Sequence, residues 1–379
     1  MKKRILLLVA AIVASLFVAC ERRPLEALYS STVRVIVKCI WRVDALPETP
    51  TGVTFYFFRD GDVKPRIITS SNIEGCEVQL EPGHYRLFMI TQSPDEYWTM
   101  EFEDMNDFEG AAATLEKKSS RWYTTRAGEE QVAENPENLA VAVAEEFDID
   151  DDMVEEYQYY YRLWKSKTRA LGLSDTKTDY SHLSASDQQE LRDLEDQVIT
   201  RTIVIPLYPE NVVSQFEVII YSDNADVLKS IRAATSGMAG KYELTQSTTA
   251  SETVTQLIEQ GWTLSIDDTE RRVGHIRGMI TTFGLPNGEV PSTLRDSTLN
   301  VSALLVDNKT QEDYYFNVGD KIKIEKPNPG YHRLYRLVFG SVNDPAIHPP
   351  DVPPEGETES GFDANVSEWE DGESIDIPM

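Results

Sequence analysis

Few residues in this sequence carry chemistry at the spacing that chemistry needs. The five histidines, His84, His182, His275, His332 and His348, never pair at metal-binding intervals. Asp148, Asp150 and Asp152 fit the start of a calcium loop, but Met153 stands where that loop needs glycine and Tyr159 where it needs glutamate. Carboxylates there suit a helix start instead, where unpaired amides attract negative charge. Asp363, Asn365 and Ser367 fail the same calcium pattern. Ser236-Gly237 lacks the preceding glycine of a nucleophile elbow. Tyr157, Tyr159, Tyr160, Tyr161 and Trp164 can form a sugar-stacking platform or pack a helix against a sheet. Cys39 and Cys76 fall on inward strand positions, where an exported protein can join them as a disulfide or bury two free thiols. No acid and base pair stands apart among the carboxylates, so the expectation is no enzyme, no cofactor and no metal site.

The length and charge limit what else the chain can be. Its 379 residues suit two domains better than one core. At 41% apolar residues it can build packed interiors, which excludes wholesale disorder. The 64 acidic residues outnumber 36 basic ones, and a net charge of −28 repels phosphate backbones. Nucleic acid is therefore no expected partner, and an anionic lipid surface would not hold the folded body.

One cysteine differs from the rest. Met1-Lys2-Lys3-Arg4 is followed by an apolar run from Ile5 to Ala19, interrupted only by Ser15 and too short to span a bilayer. It ends in Leu16-Phe17-Val18-Ala19-Cys20, which resembles a bacterial lipobox, with Phe17 where leucine is usual. That resemblance implies removal of residues 1–19, acylation of Cys20 and a lipidated tether over 20–31. Several acyl chains on one residue exceed what stable membrane attachment requires. The expected location is the outer membrane, at the cell surface or on its periplasmic face. Glu21-Arg22-Arg23 lacks the acidic run that would decide between them.

Beyond the tether, turns and alternation predict antiparallel sheets. Residues 32–43 alternate, with Val33, Val35, Val37, Cys39 and Trp41 facing one way. Val53 to Phe58, Cys76 to Leu80 and Tyr85 to Ile90 follow as strands, with Asp60-Gly61 and Pro82-Gly83 as turns. Residues 145–200 read as a helical insertion over one end of this sandwich. Its first helix runs from Met153 to Leu173, and its second starts near Ser184 or Ser186, with Ser186 and Gln189 as a capping box. The flanking strands already complete the alternation, which predicts that the first half folds without it. A second β unit occupies 211–343, with strands at 216–221, 262–266, 274–283, 299–306 and 314–318. Five prolines then mark 344–361 as a linker that, extended, would reach about 55 Å. Residues 362–379 are acidic yet carry Phe362, Val366, Trp369, Ile375 and Ile377. That predicts a strand docking in a sheet groove of its own domain or a neighbour's.

Several of these segments together resemble the fimbrillin superfamily, the subunits and anchors of type V pili and an uncharacterised lipoprotein branch beside them. The resemblance rests on the lipobox, Ile40-Trp41, Pro50-Thr51-Gly52-Val53, residues 231–240, Thr281-Thr282-Phe283-Gly284, residues 316–322, Gly361-Phe362 and Trp369-Glu370-Asp371. It implies two tandem transthyretin-like antiparallel β-sandwiches, at 32–210 and 211–343. It also implies a lipid-anchored anchor or cap of a fimbria-like assembly, with fimbrial subunits as partners joined by β-strand complementation. Polymerising members are cut after a basic residue in the early segment. Here 44–52 has no Lys or Arg, and the alternation places Arg42 within a strand, which favours an uncleaved anchor or cap. The alternative reading is an outer-membrane lipoprotein that binds glycans or host proteins.

Overall fold

In a computed structural model, the chain is described over residues 31–123, 131–173, 180–288, 297–318 and 321–355. It is mostly β, with five sheets and two helices among these residues. The first sheet holds β1 (Val33–Cys39) at its centre, parallel to β11 (Ile203–Leu207) and antiparallel to β4 (Gly75–Leu80). The second runs β12 (Glu210–Asn211), β9 (Ala140–Val143), β5 (Gly83–Thr91), β2 (Val53–Arg59), β3 (Arg66–Ser70), with β10 (Phe147–Ile149) also on β5. A third joins β16 (Thr248–Thr249), β15 (Lys241–Glu243), β7 (Ala112–Leu115) and β6 (Met100–Glu103). The fourth runs β21 (Gln311–Asn317), β20 (Thr298–Leu305), β14 (Leu228–Ala239), β17 (Thr253–Ile258), β8 (Gln131–Ala133). The fifth runs β18 (Thr263–Asp268), β19 (Val273–Thr282), β13 (Ser214–Ser222), β23 (Leu334–Phe339), β22 (Lys323–Glu325).

The unbroken apolar run of β2 has a structural cause. Phe55 and Phe57 face the first sheet across a core with Val33, Val35 and Leu87. Tyr56 and Phe58 face the other way, stacking on Phe88 at centroid separations of 4.7 and 5.7 Å. A strand buried on both faces cannot alternate with polar residues. This second face belongs to a continuous core that also includes Ala113, Tyr242, Phe216 and Leu299.

Strands from the 32–210 range also pair across position 210. β7 pairs β15, and β8 runs parallel to β17. Buried Asn211 donates to the Gly330 carbonyl at 2.6 Å and accepts from Val213 N–H at 3.0 Å. Gly330 has φ 85°, and a Cβ there would lie 2.3 Å from the Pro47 nitrogen, so only glycine lets that loop lie against the 44–52 connection.

The helices differ from the expected add-on. α1 spans Asp151–Ala170 and α2 spans Ala185–Thr200. Asp150 caps α1 by accepting from Met153 N–H at 2.7 Å. Ser184, rather than Ser186, caps α2 by accepting from Asp187 N–H at 3.1 Å. Ile149, Val154, Tyr157 and Val198 are buried in the core between the first two sheets, and Gln158 donates to the Thr32 carbonyl at the start of β1. Both helices therefore contribute to that core rather than covering its end. Hydrophobic periodicity cannot separate these cases, because a charged helix with one narrow apolar stripe suits both.

The proline-rich stretch is also not a free spacer in its described part. Ala346 and Ile347 donate backbone N–H groups to the Tyr221 carbonyl, Ile347 is buried, and Arg272 pairs with Asp351 at 2.9 Å. Glu355 N–H bonds the Val306 carbonyl at 3.1 Å. Docking of 344–355 on the fifth and fourth sheets removes most of the reach expected of an extended 344–361.

Candidate functional site: strand edges and an ion-paired sheet face

The expected functional residues divide between described and undescribed parts. Cys20 and the set Phe362, Val366, Trp369, Ile375 and Ile377 lie outside the described residues. Cys39 and Cys76 are described and are free thiols. Register explains this: Cys76 lies opposite Val37, so Cys39 is its diagonal neighbour on the same face. Diagonal Cα separations of about 7–8 Å exceed the span a disulfide prefers. Burial pushes both thiols up to about 12, which keeps them protonated. Close approach of β4 to β1 depends on Gly75 (φ 142°), where a Cβ would lie 1.9 Å from the Val37 carbonyl oxygen.

The remaining candidate chemistry resolves into structure. Asp150 is a helix cap, and Asp148 pairs with His84, at 2.8 Å from its Nδ1. Ser236 Oγ accepts from Thr298 N–H at 2.9 Å. Tyr157 is buried and stacks on Tyr161, Arg201 covers Tyr160 at 4.1 Å, and Lys165 lies over Tyr161 at 5.6 Å. Only Tyr159 of the tyrosine run is freely exposed, at 58%. The stripe therefore packs a helix and offers no stacking platform. Among the described residues no group of three or more His, Cys, Asp or Glu could hold a metal.

His84 is a pH-sensitive tie. Its Nε2 also lies 3.4 Å from Glu146, so it links β5 to β10 and to the residue just before it. The hydrogen bond with Asp148, then the negative charges of Asp148, Asp60 and Glu146, raise its pKa above the ordinary value, against a smaller effect of burial. A raised folded pKa stabilises fully below about pH 6.5, the unfolded value, and that contribution fades as pH rises through the folded value. Hydrogen exchange of the 147–149 amides, corrected for intrinsic rates, should be slower at about pH 6 than at about pH 8.5. His84→Gln should abolish that difference, and its persistence would assign the pH effect elsewhere.

The fifth sheet carries an ion-paired outer face that sequence reading missed. Glu217, central on β13 and 0% exposed, accepts from Arg277 on β19 and Arg336 on β23. Arg336 also bonds Glu325 on β22. The bond to Glu217 is the largest cause raising the Arg336 pKa. Glu217 sits in Phe216-Glu217-Val218, where alternation alone makes it an outward residue; pairing with residues far along the chain buries it.

Strand edges are the other surface. β1 ends at Cys39, one backbone bond beyond it runs from Ile40 to Leu207, and Arg42 lies past the strand with its side chain 74% exposed, paired with Glu210. The expectation that pairing shields Arg42 is thereby corrected: the alternation continued to residue 43, but the ladder did not. β3 is an edge strand that sequence reading also missed. The β-branched run Ile67-Ile68-Thr69 after Pro65 was the signal available.

The fold is shared with solved structures of other proteins. A candidate adhesin from Bacteroides ovatus ATCC 8483 superposes with a TM-score of 0.52 at 14% identity, over 88% of this chain and 99% of that one. The fimbrial anchor protein Mfa2 from Porphyromonas gingivalis is also similar, with a TM-score of 0.42 at 14% identity over 81% and 90% of the two chains. No curated protein matches the sequence. Residues 19–259, more than half of the chain, match the family described as a domain of unknown function, DUF5119, and the chain belongs to that family.

Proposed function

We propose that this protein is a lipid-anchored, non-enzymatic structural component, an anchor or cap, of a fimbria-like surface assembly. Its partners are fimbrial subunits joined by β-strand complementation. The observation that carries this reading is the fold shared with a candidate adhesin along 88% of the chain. The tandem plan belongs to the same reading, with the first two sheets forming one sandwich and the fourth and fifth another. The signal-like segment ending at Cys20 supports attachment to the outer membrane, at the surface or on the periplasmic face. Arg42 does not separate anchor from stalk, since it is accessible; the lack of Lys and Arg in 44–52 remains in favour of the uncleaved form. Cys39 and Cys76 take no part in this reading.

Attachment is tested by feeding cells an alkyne palmitate analogue. The wild type should be labelled, and Cys20→Ala should stay unlabelled and keep residues 1–19. Equal labelling of both would remove the lipid anchor from the proposal. Copurification of the anchored protein with extended surface filaments tests the assembly, and a monomer that never associates with any subunit would overturn it.

A further inference from the structure

α1 is covered on its core side and on the side facing α2. Val154 and Tyr157 are buried in the core. Lys167 reaches Asp187 at 2.9 Å and Glu190 at 2.7 Å, and Glu156 pairs with Arg201, just past the end of α2, at 3.1 Å. The remaining side is open. Tyr159 and Leu163, one turn apart, are 58% and 40% exposed. Arg162 beside them is exposed and makes no ion pair among the described residues. These side chains line a groove of about 640 Å³ that follows the helix from Asp151 to Ser166, with Ser31 and Pro82 completing its lining.

The place of Ser31 bears on what fills that groove. The described chain begins there, and the next residue is fixed to the same helix, because Gln158 donates to the Thr32 carbonyl at 2.6 Å. The chain that precedes Ser31 therefore departs from the groove itself. Its sequence, Pro24-Leu25-Glu26-Ala27-Leu28-Tyr29-Ser30, matches the open side of α1. Leu25 and Tyr29 stand four apart, as Tyr159 and Leu163 do, and Leu28 falls on the same side of a helical turn. Glu26, the only carboxylate from Arg22 to Ser31, stands next to Leu25 as Arg162 stands next to Leu163.

We propose that residues 24–30 of the same chain lie in this groove antiparallel to α1, with Leu25 on Leu163, Tyr29 on Tyr159 and Glu26 paired with Arg162. Running back from Ser31 toward Ser166 is the direction that aligns the apolar pairs and the charges together. The lengths agree: from Gln158 to Ser166 the helix rises about 12 Å, and seven residues wound at helical pitch cover about 10 Å. The docking depends on 24–30 alone and not on Cys20. Combined with the attachment reading above, it leaves only 20–23 as a free spacer. Four residues reach about 14 Å, whereas the twelve of 20–31 would reach about 42 Å. The folded body is thereby held close to its point of attachment, with α1 turned toward it.

The test places photoreactive benzoylphenylalanine in place of Leu163 in the full-length mature protein, mixed in detergent as isotopically light and heavy copies. Illumination should join the probe to residues 24–30 of its own copy, light to light and heavy to heavy. The same probe in place of Ile199, exposed on α2, should not reach that segment. Leu25→Asp with Leu28→Asp should lower the yield by about fivefold or more. Glu26→Arg alone, or Arg162→Glu alone, should lower it about twofold with an unchanged thermal transition. Combining the two should restore it, which a general disturbance of α1 would not do. Cross-links only between light and heavy copies would make a second copy the occupant and overturn the proposal. Capture of another part of the chain, or a yield indifferent to the charge exchange, would overturn it as well. Palmitate labelling reads Cys20 and the cross-link reads 24–30, so attachment and docking fail separately.

Discussion

Replacing residues 145–200 with a short Gly/Ser linker should leave a chain whose first half no longer unfolds cooperatively. The replacement deletes β10 from the edge of β5 and removes Ile149, Val154, Tyr157, Leu191 and Val198, each less than 9% exposed. Burial of each is worth about 1.5–3 kcal/mol, so the loss is on the order of 10 kcal/mol. A domain's whole stability is about 5–15 kcal/mol. Loop closure cannot offset this, because shortening a connection changes its entropy by only about 0.6 kcal/mol per twofold change in length. Near-UV circular dichroism through a urea titration should show a broad, shallow change with dye binding at low denaturant. One sharp transition near the wild-type midpoint would show that the helices are dispensable after all.

Glu217→Ala should be the most damaging single substitution on the outer face of the fifth sheet. It takes the shared acceptor from Arg277 and Arg336 and leaves two like charges on the strands that flank β13. Removing one member of a buried ion-paired group costs about 3–5 kcal/mol. The guanidinium side chains are 48% and 30% exposed and can turn to water, which places the cost near the lower end. Glu217→Gln keeps the volume and one acceptor oxygen, so its urea midpoint should fall between wild type and alanine. A glutamine midpoint equal to that of wild type would mean that shape, not charge, holds this face together.

Much of the β architecture was legible because its cause is local. β1, β2, β4, β5, β13, β19 and β20 announce themselves through alternation or apolar runs closed by glycine and proline turns. β14 did not, since Ala233-Ala234-Thr235-Ser236-Gly237-Met238-Ala239 has no polar alternation. It lies between β17 and β20 in the fourth sheet, a placement set by pairing with distant segments and invisible to a single strand. The end of β1 was misplaced for a similar reason: Trp41 and Val43 continue the pattern, but β11 pairs only from Val35 to Cys39. Glu217 and β3 share the same lesson. A carboxylate's burial and an edge strand's vacancy are set by which distant segments pair, so neither leaves a signature in its own few residues.

The position of β1 bears on what happens when the molecule is pulled. The chain that enters from the amino-terminal side continues directly into β1, between β11 and β4. A force along that strand acts parallel to both neighbours, so it loads the two ladders in shear. Their rungs must then give way together rather than open one after another from an end. Val33, Val35 and Val37 would also have to be dragged out of the core at the same moment. Pulled along that strand, the fold resists with the strength of a whole sheet, while the same hydrogen bonds peeled from the side would yield singly.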